Sequence, residues 1–272
     1  MNDAFSPPRF WRLCRQQWQE QRRAWGMFAL VLAVLLAVVA GLMLAGGSGS
    51  GVRTNEQAYI YIMGLLLSGY LFAHQAFGMW RSREATLVYL MRPGSPFEKW
   101  LLSALLLLVL YPLLYSAVFA AVYAVASEVG YRMALAHWAE LSAAGNKECA
   151  PAPESFAVFF PLRPGSDLPG QMAWGLLYAG LMAYAATGLV FFRRHAALRT
   201  LVLALGLVLV TALMLVWLST ERFEYLNWWL EEEIQPAQPP WAAYLFSALL
   251  WLGVPILLWA VSYRALRERD LS

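Results

Sequence analysis

The chain has 272 residues, 60% of them hydrophobic and 14% charged, with a net charge of +3. Soluble domains carry about 25% charged residues, and so apolar a chain cannot hide its side chains in one aqueous core. Several continuous apolar runs approach the ~20 residues that cross a bilayer, and a β-barrel would instead show short alternating strands. The predicted class is an all-α membrane protein with six transmembrane helices.

Residues 1–25 precede any span. Phe10, Trp11, Cys14, Trp18 and Trp25 share one side of a helix with Arg9, Arg12, Arg15, Arg22 and Arg23 around them. Aromatic and Arg side chains together suit an amphipathic helix lying in the membrane interface, with no role in binding nucleic acid. Residues 26–272 then read as one six-span membrane domain. Span one is about Gly26–Leu44, followed by the flexible turn Gly46–Gly51. Span two, about Ala58–Met79, holds Tyr59, Tyr61, Ser68, Tyr70 and His74, and its Gly64 and Ser68 make a small-xxx-small pair that allows close helix contact.

A basic segment, residues 81–99, separates spans two and three. Arg83 to Met91 sets Leu87, Leu90 and Met91 on one helical face. Pro93-Gly94 ends that piece, and Ser95-Pro96-Phe97-Glu98 opens a new helix with Ser95 as N-cap, Pro96 in the first turn and Glu98 closing a capping box. Span three, about Pro96–Ala126, carries Tyr111, Tyr115 and Tyr123, and Pro112 predicts a kink. External loops follow at 127–169, with an amphipathic helix expected over Tyr131–Ala144, and at 219–240. Span four is about Gln171–Phe192, with Gly175, Ala179, Gly180 and Ala183. Span five is about Thr200–Leu218 and span six about Trp241–Tyr263.

Charge sets the orientation. With both ends inside, fifteen of the twenty Lys and Arg residues lie on the inner side, so the expected topology is N-in, C-in. Cys14 and Cys149 then fall on opposite sides, which rules out an intrachain disulfide between them.

Chemistry is sparse. No Asp, Glu, Lys or Arg sits mid-span, which argues against an ion-coupled carrier. There is no P-loop, no H-E-x-x-H and no C-x-x-C, so the chain is not expected to be an enzyme, to hold a metal or to bind a cofactor of its own. Ser68 and His74 stand six residues apart, about 120° round the helix, and cannot form a nucleophile–base pair. Glu231-Glu-Glu233 reads as a solvated helix end. The remaining candidates are tyrosines: Tyr59, Tyr61, Tyr70, Tyr111 and Tyr115 suit either interface anchoring or a path for amphipathic cargo.

This layout, and the run Glu84-Ala-Thr-Leu87 followed by Pro93-Gly-Ser-Pro-Phe-Glu-Lys99, resembles the type-2 ABC exporter permease family, in which similar runs precede the third span. The resemblance implies a transmembrane subunit of an exporter, paired with a second copy or a homologous permease. It also implies a separate P-loop ATPase that binds the ATP and Mg. Residues 81–99 would be the coupling loop, with Arg83, Glu84, Leu87, Leu90, Met91 and Arg92 facing the ATPase. The implied location is the bacterial inner membrane, in contact with lipid. The rival reading is a polytopic scaffold or assembly factor that transports nothing.

Overall fold

The computed structural model describes residues 5–46, 54–76, 88–89, 91–143, 157–161, 168–191, 198–199, 202 and 252–271. Every regular element among them is helical: α1 (Pro7–Gly46), α2 (Thr54–Ala76), α3 (Pro96–Ala143), α4 (Leu168–Phe191) and α5 (Val254–Leu271). Two of these, α1 and α3, are long and apolar enough to cross a membrane. Expected span five apart from Val202, the 219–240 loop and the start of span six lie outside the described residues.

Two expected boundaries fall inside continuous helices. The interfacial helix and span one are a single helix of 40 residues, about 60 Å long at 1.5 Å per residue. Residues 10–25 are good helix formers, and Gly26 alone does not end a helix whose neighbours favour it. Likewise span three does not stop near Ala126. It runs on through the expected external helix to Ala143, 48 residues in all. Both helices are about twice as long as the ~30 Å hydrocarbon layer. A change from charged to apolar composition marks a change of environment, and the backbone hydrogen-bond ladder continues through it.

Within α3, residues Leu106–Leu110 form a π turn, in which the Tyr111 N–H bonds the carbonyl of Leu106. Pro112 has no N–H to donate, and in a regular helix its ring would crowd the carbonyl four residues back. The wider turn directly before it relieves this crowding, so the expected disturbance at Pro112 takes the form of a π turn in a continuous helix.

The chain divides into two compact units. The first comprises Met1–Phe72 and Pro93–Gly175. In it α1 and α3 run side by side in the same direction: Arg9 meets Glu98, and Phe28 meets Tyr111. The first part of α2 runs opposite to α3, with Phe72 against Tyr111 and Tyr61 against Phe119. The core of this unit is a stripe on α3. Tyr111, Tyr115, Phe119 and Tyr123 recur every four residues, on one face, and are at most 1% exposed. Phe119 stacks on Tyr115 and, more closely, on Tyr123 at 4.2 Å, while Tyr111 and Tyr115 meet at a tilt. Gly64 makes the contact with α2 possible. A Cβ there would collide with the Tyr115 hydroxyl and stand 3.2 Å from its ring carbon Cζ. The small-xxx-small signature therefore serves a tyrosine.

The second unit comprises Ala73–Arg92 and Leu176–Ser272. Small residues again set a helix contact. Gly180 faces Pro255 of α5, whose Cγ would lie 3.4 Å from a Cβ at that position. Two turns further along α4, the Thr187 hydroxyl is shared between the carbonyl of Ala183, at 2.8 Å, and that of Leu258, at 3.0 Å.

Candidate coupling site

The 81–99 segment spans the boundary between the units: residues to Arg92 belong to the second, and residues from Pro93 to the first. Arg83, Glu84, Leu87 and Leu90 lie outside the described residues. Val88 and Tyr89 are helical, and Arg92 returns toward them through a hydrogen bond from its N–H to the Tyr89 carbonyl at 3.2 Å. The Arg92 guanidinium carbon stands 5.1 Å from the centre of the Tyr89 ring, a cation–π contact. Tyr89 is buried, whereas Met91 is 84% exposed. Of the apolar residues expected to face a partner, Met91 is thus directly seen to be accessible.

The other half of the segment is built quite differently. The expected capping box is present: Glu98 N–H donates to Ser95 Oγ at 3.2 Å, Ser95 N–H donates to Glu98 Oε2 at 3.0 Å, and Pro96 opens the helix. Local spacing did not reveal the remaining partners of Glu98. Arg9 grips its carboxylate with both arms of the guanidinium, Nε to Oε2 at 2.7 Å and Nη2 to Oε1 at 2.9 Å. The backbone N–H of Ser6 donates to Oε1 at 2.8 Å. One carboxylate, 0% exposed, therefore accepts four hydrogen bonds, two per oxygen.

Electrostatics explain why a charge is tolerated there. Ser6 precedes the first turn of α1 and Glu98 lies in the first turn of α3. Both helices begin at this point and run in parallel, so the positive ends of two macrodipoles converge on one anion. The hydrogen bonds to Glu98 in turn hold the Arg9 guanidinium above its ordinary pKa, so the pair stays ionised. Around it Leu13 covers Gly94, and Phe5 packs edge-on against Phe97 with ring centres 6.4 Å apart. Lys99, the next residue, is buried as well.

The tyrosines proposed for a cargo path fall into two groups. Tyr59 is 68% exposed. Tyr61, Tyr70, Tyr111 and Tyr115 are packed side chains in the core. Tyr61, Tyr111 and Tyr115 have polar partners on a neighbouring helix. Tyr61 bonds Ser116 Oγ at 2.8 Å, and because Ser116 spends its own proton on the Pro112 carbonyl, Tyr61 is the donor. Tyr111 donates to Ser68 Oγ, which passes its proton to the Gly64 carbonyl. Tyr115 reaches the Ile60 carbonyl at 3.4 Å. At the far end of α2 the fully buried Gln57 clips residues 157–161: its Nε2 donates to the Ala157 carbonyl at 3.3 Å and its Oε1 accepts from Phe159 N–H at 2.8 Å.

Among the described residues no three His, Cys, Asp or Glu side chains converge as metal ligands. The arrangement at Glu98 is mechanical: a charged rivet that joins the start of α1 to the start of α3. Comparison with family models, with characterised proteins and with solved structures returns no match.

Proposed function

We propose that this chain is the permease subunit of an ATP-driven ABC exporter in the bacterial inner membrane, with six spans and both ends in the cytoplasm. It would work with a separate P-loop ATPase and a second copy or homologous permease, moving an amphipathic or hydrophobic cargo. The observation that supports this reading is the joint at Ser95–Glu98. A docking loop transmits force only if one of its ends is fastened to the membrane helices. In this reading residues 83–92 meet the ATPase, and Glu98 ties the turn that follows them to α3 and, through Arg9 and Ser6, to α1. ATP-driven closure of the partner would push on 83–92 and move α1 and α3 together, shifting the population between two arrangements of the spans.

The test is co-purification from native membranes. The unmodified chain is expected to bring down an ATPase with a P-loop, and the double substitution Leu87→Asp with Leu90→Asp is expected to release it while the membrane part remains monodisperse in detergent. An ATPase that stays bound to the doubly substituted chain would overturn the docking role. Absence of any P-loop protein from both preparations would leave the non-transporting scaffold as the better reading.

A further inference from the structure

A groove of about 420 Å³ lies between α1 and α3 in the first unit, within the range of small-ligand sites. Its α1 wall carries Trp18, Arg22, Trp25 and Gly26, and its floor is Phe72 and Tyr111. The lining is apolar except for one charge, Arg22. That residue is exposed, and among the described residues it forms no ion pair or hydrogen bond. The two nearest long basic neighbours on α1, Arg15 and Arg23, do not border the groove. Gly26 leaves it open, because a Cβ there would meet nothing within 4 Å.

We propose that this groove holds one acyl chain of an anionic phospholipid, with the lipid phosphate against Arg22. The placement supports a lipid over a soluble ligand. The groove begins where the charged part of α1 gives way to the apolar run from Met27, a change of composition that suits the border between headgroups and hydrocarbon. Trp18 and Trp25 flank it, as indole rings do at that level. Leu113, on its α3 side, is 63% exposed, so the groove opens sideways to where lipid chains lie. An unpaired guanidinium at the head of an apolar slot complements a phosphodiester with a fatty tail, and basic pockets between membrane helices select such headgroups. The inference stands apart from the exporter reading, since it needs neither an ATPase nor transport.

The test uses the full chain reconstituted in nanodiscs holding an equal mixture of phosphatidylglycerol and phosphatidylcholine, then stripped with mild detergent and analysed for retained lipid by native mass spectrometry. The expected result is retention of phosphatidylglycerol over phosphatidylcholine by about five-fold, the scale of one Arg at an anionic surface. Arg22→Gln should bring the ratio to parity, Arg22→Lys should preserve most of it, and Arg23→Gln should leave it unchanged. Gly26→Leu, which fills open space, should lower retention of both lipids. Equal retention of the two lipids by the unmodified chain would overturn the proposal. So would an Arg23→Gln effect as large as that of Arg22→Gln, which would mean diffuse attraction to a basic helix, or an unmodified chain that retains no lipid.

Discussion

The Glu98 joint and the tyrosine stripe of α3 bury polar groups in the same unit, by opposite rules. At the joint every lone-pair direction of the carboxylate is used, by donors from three residues on two separate stretches of chain. Along the stripe, satisfaction fades from one end to the other. Tyr111 and Tyr115 have partners on α2, whereas Tyr123 Oη and Ser127 Oγ, both buried, have none among the described residues. A buried ion is costly unless fully paired, so a charge demands a complete set of partners. A phenol brings most of its stabilisation as ring area and tolerates an idle hydroxyl at modest cost. The joint therefore specifies one geometry, and the stripe supplies bulk packing on which that geometry rests.

Three sets of substitutions would break or sharpen this contrast. The largest effect is expected at the joint. Glu98→Ala removes the capping box and leaves the Ser6 and Ser95 amides without their acceptor, at a cost of about 3 kcal/mol, read as a lowered thermal midpoint in detergent. Glu98→Gln should fall between, since an amide retains an acceptor but loses the charge that two helix ends favour. If Glu98→Ala unfolds no earlier than the parent, the joint is ornamental. Next comes the contact at Gly64. Gly64→Ala should cost about 1–3 kcal/mol by overpacking against Tyr115. Adding Tyr115→Phe removes the colliding oxygen and should recover part of the loss, whereas strictly additive effects would place the strain elsewhere. The smallest effect separates the two ends of the stripe. Tyr111→Phe should cost about 1 kcal/mol for the bond to Ser68, and Tyr123→Phe should be neutral or slightly stabilising, measured by the same melts. Equal losses at both positions would show that Tyr123 has a partner after all.

Some of this is written locally in the chain. Ser95-Pro96-Phe97-Glu98 announces a helix start because capping involves residues three apart. Gly64 and Ser68 announce a close contact because small side chains four apart share a face. Pro112 announces a disturbance because its ring lacks an N–H wherever it stands. The apolar runs of α1 and α3 mark them as helices fit to cross a membrane, since their composition leaves few other environments. Tyr111, Tyr115, Phe119 and Tyr123 also carry a legible period, though hydroxyl-bearing rings invite a pathway reading as readily as a core. Only their burial distinguishes the two.

Tertiary structure decided the rest. The bond from Arg9 to Glu98 spans 89 residues, and nothing in the spacing of either segment points to the other. Arg9 looked like one of several interface arginines because charge alone does not reveal which member of a basic run finds a carboxylate. Hydropathy likewise changes at Gly26 and beyond Ala126 without ending a helix, because no breaker stands there. Composition reports the surroundings of a residue, and a helix ends only when its backbone bonds stop. The same limit applied to Glu98. Its sequence context describes a cap, a one-helix device. Its function as a joint depends on a second helix starting beside it in the same direction, which became visible only once the chain had returned to that point.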